Sequence, residues 1–394
     1  MAAPVARPPS APSEGPPALG IDWARAVSVE RPADAFAEPS PGASLPGPNG
    51  TGRSGHPLHF PGQAVMADVI TRPSGGFVSV GYVYPGWHPA AWTSADGWAW
   101  TLQAMGTTEF TFPVALAVNP TGTIVAVGRM GTAPIAWTSS DGRTWTPHAV
   151  PILGDGTIPE RMTTVVATPD GFIAGGSVGP ELFDRHARFW RSSDGATWSP
   201  VADDAATFAD SEVRAIAPSA GGYVAVGLVG SVQRITGSVA WTSADGRLWT
   251  RIDAADLGQG RAVALAAAPF GGVVAVGSDL AEHEAFAWRS PDGRSWSLAP
   301  GEPSRQYPGK VRMTDVTGVG DELIGVGNYV GLQRGTASSW VSTDGVHWQQ
   351  ARSAPVQEQG EFYAVTPGGP GVVTVGSYGA PDDYIPTVWL SPGR

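Results

Sequence analysis

Trp241-Thr242-Ser243-Ala244-Asp245-Gly246-Arg247-Leu248-Trp249 is one of six copies of W-x-S-x-D-G-x-x-W in a chain of 394 residues. The others run from Trp92 to Trp100, Trp137 to Trp145, Trp190 to Trp198, Trp288 to Trp296 and Trp340 to Trp348, and Trp389-Leu390-Ser391 begins a seventh, truncated copy. Successive first tryptophans lie 45, 53, 51, 47, 52 and 49 residues apart. That period suits a unit of four short strands repeated around an axis.

Upstream of each copy the chain reads strand, turn, strand, as in Ala215-Ile216-Ala217-Pro218-Ser219-Ala220-Gly221-Gly222-Tyr223-Val224-Ala225-Val226-Gly227. The second of these strands recurs as FVSVG from Phe77, IVAVG from Ile124, FIAGG from Phe172, VVAVG from Val273, LIGVG from Leu323 and VVTVG from Val372. Each unit therefore has strand A (Val213 to Ala217 in this copy), strand B (Tyr223 to Gly227), strand C ending at the first Trp, and strand D starting near the second. Seven units predict an all-β fold, a seven-bladed β-propeller of four-stranded antiparallel blades.

In the turn from C to D, the Ser hydroxyl and Asp carboxylate can accept hydrogen bonds from turn amides, and Gly supplies a positive φ. These turns resemble the Asp-box, or BNR, repeat of sialidases, sortilin-type receptors and photosystem assembly factors, in a shortened form also found in many bacterial propellers. The resemblance covers nearly all of the chain after residue 63. It implies that the C–D turns sit at the periphery, opposite the ligand face, so Asp96, Asp141, Asp194, Asp245, Asp292 and Asp344 read as structural and not as a catalytic or metal-binding ring.

Composition narrows the functional classes. A formal net charge of -11, with no cluster of Lys and Arg interleaved with aromatics, argues against nucleic-acid binding. The absence of cysteine rules out disulfides and thiolate chemistry. No apolar run is long enough for a membrane span or a signal-peptide core, so the chain reads as cytoplasmic, or as exported to the cell surface or beyond by a signal that this sequence does not include. A monomer is expected, and neither a cofactor nor a metal.

Blade seven lacks its own strand D, and Gly20-Ile21-Asp22-Trp23-Ala24-Arg25 repeats the pattern of Gly246-Arg247-Leu248-Trp249-Thr250-Arg251. Residues 20–30 are thus expected to close the ring as the outer strand of the last blade, after a disordered Pro-rich tail at 1–19. Residues 31–63 hold Pro, Gly and Ser without strand pattern and read as a long loop, either a lid over the channel or a linker. The propeller proper occupies 64–394.

Specificity is expected in the D–A and B–C loops, which do not repeat. The B–C loops include Tyr82 to His88 with Trp87, Glu181 to Arg188 with His186, Glu282-His283-Glu284, Gln333-Arg334 and Asp382-Asp383-Tyr384. Glu282-His283-Glu284 is too local to define a metal site and reads as a solvated charged loop; His56-Pro57-Leu58-His59 is equally unspecific. Asp68 and Asp315 recur in Met66-Ala67-Asp68-Val69 and Met313-Thr314-Asp315-Val316 on inner strands, where they either face the channel and bind a cation or hydrogen-bond a neighbouring blade. Arg161, Arg214, Arg261 and Arg312 recur near the start of strands A, an anion-binding cluster in prospect; Arg161 and Arg261 align, and the other two are offset.

The candidate ligand-binding residues are therefore Arg161, Arg261, Trp87, Asp68 and Asp315. The function expected is a non-enzymatic scaffold that binds a protein or carbohydrate through the D–A and B–C face. The alternative, implied by the sialidase resemblance, is a glycoside hydrolase using an arginine triad, a Tyr/Glu pair and an Asp acid. The Phe/Tyr-Arg-Ile-Pro segment of those enzymes is absent here, and their six blades contrast with seven.

Overall fold

In the computed structural model, the described residues are 25–27, 29–30, 64–152, 156–179, 185–202, 204–231, 233–299, 310–330, 335–351, 360–369, 371–378 and 385–392. They form seven sheets arranged as the blades of a propeller and numbered 1 to 7 along the chain from Ala64; each has four antiparallel strands, and the sheet of blade 1 carries a fifth, parallel strand on its outer edge. Blade 4 shows the plan, with strand A at Ser211–Ser219, B at Gly222–Ser231, C at Arg234–Ser243 and D at Thr250–Ile252. No helix among the described residues is long and apolar enough to cross a membrane.

The cores lie between blades. Seven separate apolar clusters each combine strands of two neighbours, for example Phe189 and Ile173 of blade 3 with Val213, Trp241 and Trp249 of blade 4, or Trp92 and Trp100 of blade 1 with Val373 and Leu390 of blade 7. The tryptophans of the repeat are the wedges that fill these gaps, each burying an area on the order of 150–250 Å². Trp137, Trp190, Trp241 and Trp288 are fully buried.

The S-x-D-G turns between strands C and D stitch the same interfaces from one face. In blade 2, the Gly142 amide donates to Ser139 Oγ at 2.8 Å, and the Arg143 and Thr144 amides both donate to Asp141 Oδ1 at 2.8 Å. The Trp145 indole returns to the Gly142 carbonyl at 3.0 Å. At Gly246, φ is 73°, and a Cβ there would stand 2.2 Å from Ile173 Cδ1 of the preceding blade. Glycine is thus required both for the backbone conformation and for close approach of two blades.

At Asp96, Asp194, Asp245 and Asp292 hydrogen bonds from the turn amides hold the carboxyl below its ordinary range. At Asp141 and Asp344 partial burial pulls the other way and is outweighed by the turn donors, with His347 helping to bring Asp344 down to about 2.

The fourth strand of blade 7 is Arg25–Val27, antiparallel to Ile385–Pro392 with Arg25 opposite Leu390 and Val27 opposite Val388. Val29–Glu30 instead runs parallel to Trp100–Ala104 on the outer edge of blade 1. Of the expected closing strand at 20–30, Arg25–Val27 pairs with blade 7 and Val29–Glu30 with blade 1, and residues 20–24 and 28 lie outside the described residues. Trp23, the tail at 1–19 and the whole segment 31–63 lie outside the described residues.

Candidate functional site

Every strand A carries one β-bulge at the same height, after Met66, Pro113, Met162, Val213, Ala262, Met313 and Phe362. A bulge adds a residue and re-aims the side chains beside it. The bulged residues are Ala67, Val114, Thr163, Arg214, Val263, Thr314 and Tyr363. Two positions earlier stand Val65, Phe112, Arg161, Glu212, Arg261, Arg312 and Glu361. Arg312 thus shares the register of Arg161 and Arg261, correcting the offset read from sequence, whereas Arg214 is itself the bulged residue. The triplet Arg-Met-Thr at 161–163 and again at 312–314 was the available signal.

These two rings make the mouth of the channel asymmetric, with blades 1 and 2 contributing apolar residues and blades 3 to 7 charged ones. Over the charged side lies a cavity of about 410 Å³, whose lining includes Arg185, Arg214, Arg261, Arg312, Glu212, Glu282 and Tyr363. Its walls come from starts of strands A, ends of strands B and the B–C loops. The S-x-D-G turns are at the opposite ends of the same strands.

Glu212 is buried and accepts from Arg161 Nε at 3.1 Å and from Arg185 Nη1, with Arg214 Nη1 further off at 3.8 Å. Glu282 accepts from Arg261 Nη1 at 2.7 Å and Lys310 Nζ at 2.8 Å, with Arg312 Nη1 at 4.0 Å. Burial alone would raise the Glu282 pKa; the hydrogen bond from Lys310 and the charges of Arg261, Lys310 and Arg312 outweigh it, so this carboxyl is held ionised below its ordinary range. Four arginines against two glutamates leave the cavity lining at a net +2 in a chain of net -11. Arg214 and Arg312 are the loosely held pair, about two-fifths exposed at 39% and 40%, and Arg312 Nε is buried without an acceptor among the described residues.

The five candidates do not converge. Arg261 lines the cavity, and Arg161 stands behind it, holding Glu212. Trp87 lies across the mouth, packed against Tyr84, Tyr82 and Phe112 with ring centres 4.0, 5.2 and 5.4 Å away. Asp68 and Asp315 lie further down, on the inner strands. Asp68 accepts from the Val69 amide and from the Leu116 amide of blade 2 at 2.7 and 2.6 Å; Asp315 accepts from Val316 and from Val365 of blade 7, both at 2.8 Å. Both carboxylates are engaged in bracing adjacent blades, and no group of three or more metal-ligating side chains occurs among the described residues.

Glu282 was expected in a solvated loop, but the arginines of two blades draw it into the cavity wall. Glu212, Arg185 and Tyr363 were missed because nothing in the repeat marks them. Gln333-Arg334, Asp382-Asp383-Tyr384 and His56 to His59 lie outside the described residues.

Burial pushes the Asp68 carboxyl up to about 8, with the charge of Asp315 adding to the rise against the two amides; burial brings Asp315 to about 7. An aspartate unfolds to a pKa of about 3.9, so the folded chain keeps protons that the unfolded chain has released. Their contribution to stability is complete below about pH 4 and is lost as pH rises through the folded values near 7 and 8. The carboxyls of the S-x-D-G turns act in the opposite sense, and their contribution is lost as pH falls below about 4. The melting temperature is therefore expected to peak on the acid side of neutrality. Asp68→Asn with Asp315→Asn should flatten the decline between pH 5 and 8; an unchanged slope in thermal melts would count against this account.

No protein-family profile matches the chain, and no curated protein matches it in sequence. Among solved structures, the fold aligns with YCF48 bound to a D1 peptide at a TM-score of 0.56 and 16% identity, covering 85% of this chain and 94% of that one. Trypanosoma rangeli sialidase in complex with the inhibitor DANA aligns at 0.48 and 11% identity over 85% of this chain, which spans only 56% of the sialidase chain. Chaetomium thermophilum Sqt1 bound to the N-terminus of the ribosomal protein L10 aligns at 0.48 and 10% identity over 80% of this chain and 83% of its own. The chain is thus a seven-bladed β-propeller that shares its fold with YCF48.

Proposed function

We propose that the chain is a non-enzymatic binding scaffold whose D–A and B–C face captures a carboxylate-bearing ligand in the basic cavity at the channel mouth. The observation that carries this reading is the loosely held pair Arg214 and Arg312, each about 4 Å from its nearest carboxylate, at 3.8 and 4.0 Å. A guanidinium so placed can turn to a ligand carboxylate in the bidentate geometry that arginine favours. An acidic chain with a local basic basin also focuses its field there and selects small anionic groups over extended polyanions. YCF48, which shares the fold, was solved with a peptide bound, in keeping with a polypeptide ligand here.

The test is fluorescence anisotropy with a labelled tetraglutamate peptide and its tetraglutamine counterpart. The glutamate peptide should bind preferentially, with affinity falling as salt is raised. Arg214→Ser or Arg312→Ser should each weaken it by about tenfold or more, the scale of a lost charged hydrogen bond. Equal binding of the two peptides would defeat the proposal.

One observation favours a second reading, a carbohydrate-active hydrolase. Tyr363 lines the cavity, and its hydroxyl donates to Glu361 Oε2 at 3.0 Å, which sets a phenol and a carboxylate base beside arginines. Against it, the cavity lining named for the described residues contains no aspartate, and Glu282 is held ionised and so is a poor proton donor. Hydrolysis of a fluorogenic sialoside that is lost in Tyr363→Phe would replace the scaffold reading with this one.

A further inference from the structure

Six large hydrophobic side chains stand exposed among the described residues, and five of them lie at the mouth: Phe110, Met130, Ile152, Ile158 and Leu280. The exception, Leu248, is in an Asp-box turn on the opposite face. Phe110, Met130, Ile152 and Ile158 belong to successive loops over blades 1 to 3. Those loops are tied together by their backbones: the Phe110 amide donates to Gly86 at 3.0 Å, Gly131 to Phe110 at 3.1 Å and Glu160 to Thr132 at 2.8 Å. These backbone-linked loops carry an apolar arc, joined at its blade 1 end to the loop of the aromatic group of Trp87, Tyr84, Tyr82 and Phe112, where the Thr111 amide donates to the Trp87 carbonyl at 3.2 Å. Exposed apolar patches of this kind, rimmed by polar residues, mark interaction surfaces.

Backbone strain is concentrated on the same face. The four non-glycine residues with left-handed φ among those described are Trp87 at 55°, Phe110 at 59°, Asp210 at 51° and Glu282 at 62°. Trp87 and Phe110 belong to the arc, Glu282 to the cavity wall, and Asp210 to the loop that enters strand A of blade 4. Such conformations are costly for residues with a Cβ and persist where the surrounding structure fixes a functional surface.

Resting on the reading of the cavity as a carboxylate site, we infer that the mouth docks a polypeptide segment that places aromatic or aliphatic side chains on the arc over blades 1 to 3 and carboxylates in the cavity over blades 4 to 6. Charge complementarity commits the occupant. The cavity lining is net positive, and the apolar arc has no use for a small carboxylate alone. A second copy of this chain, with net charge -11, meets long-range repulsion. Met130, Ile152 and Ile158 add aliphatic surface beyond the aromatic group, a mixture suited to the side chains of a protein, whereas a sugar ring would use the flat aromatic faces alone.

The experiment pans phage-displayed random dodecapeptides against the full chain and measures a synthetic enriched peptide by anisotropy, beside the tetraglutamate probe. Enriched sequences should combine an aromatic or aliphatic residue with Asp or Glu. Phe110→Asn with Met130→Thr, chosen because Asn tolerates the left-handed φ, should weaken the enriched peptide by about tenfold or more, as for an interface anchor, and leave tetraglutamate binding unchanged. Arg214→Ser should weaken both. Enriched peptides without apolar residues, or binding indifferent to the arc variant, would overturn the inference while intact tetraglutamate binding kept the cavity reading alive. Absence of tetraglutamate binding to the unaltered chain would remove the cavity reading itself. If what the arc variant abolishes is oligosaccharide binding or concentration-dependent self-association, the surface belongs to a sugar or a second copy and the inference fails.

Discussion

Deletion of residues 1–30 is expected to lower the melting temperature sharply and to make the chain aggregate, while deletion of residues 1–19 leaves both N-terminal strands in place. Arg25–Val27 supplies the outer strand of blade 7, and Val29–Glu30 adds an edge to blade 1. Their removal takes away hydrogen bonds worth about 0.5–1.5 kcal/mol each net. It also bares the outer edge of Ile385–Pro392, the strand that carries Trp389 and Leu390, and an unpaired apolar edge is a template for intermolecular pairing. In a closed ring the loss is not local, because blade 7 shares one apolar cluster with blade 1 and another with blade 6. Thermal melts and light scattering of the two truncations provide the comparison. Equal melting temperatures and equal solubility would show that the ring does not depend on this strand.

Trp241→Ala should cost about 3–5 kcal/mol, the range for truncating a buried large aromatic. Trp241 is fully buried between blades 3 and 4, its ring lies edge-on to Phe189 with centres 5.9 Å apart, and its indole donates to the Thr207 carbonyl at 2.9 Å. Alanine would leave a cavity at the interface and an acceptor without its donor. The expected loss is a large share of the roughly 5–15 kcal/mol by which folded chains exceed unfolded ones. Leu248→Ala is the matched control within the same repeat, since Leu248 is 78% exposed and should be nearly silent. Denaturant titrations of the two variants decide the matter, and a Trp241→Ala loss below about 1 kcal/mol would contradict the wedge role assigned to the repeat tryptophans.

Much of the fold was legible because it repeats. Six complete boxes and seven B strands give the blade count, and Trp, Ser, Asp and Gly at fixed offsets give the turn, since each answers a local demand: a wedge, an acceptor, a second acceptor, a positive φ. The functional face was only half legible. The loops that form it were identified by their failure to repeat, but the residues within them were ranked by type, and type does not reveal proximity. Arg312 was read as offset although the Arg-Met-Thr triplet it shares with Arg161 marks a common register; the bulge two residues further on leaves no insertion in the sequence because every blade carries it. Asp68 and Asp315 attracted notice as carboxylates near the axis, yet their oxygens are taken up by amides of the next blade. Glu282 looked like one charge in a polar loop.

The blade, the number of blades and the face on which the variable loops emerge were readable from residues alone, because they follow from contacts within one repeat and from the alternation of strands. It took the folded ring to show that Arg185, Arg214, Arg261 and Arg312, drawn from four blades, surround Glu212 and Glu282 beside Tyr363, and that an apolar arc faces them across the mouth. Those meetings depend on how seven sheets twist and close around an axis, which brings together residues up to about 180 positions apart, Arg185 and Tyr363 among them.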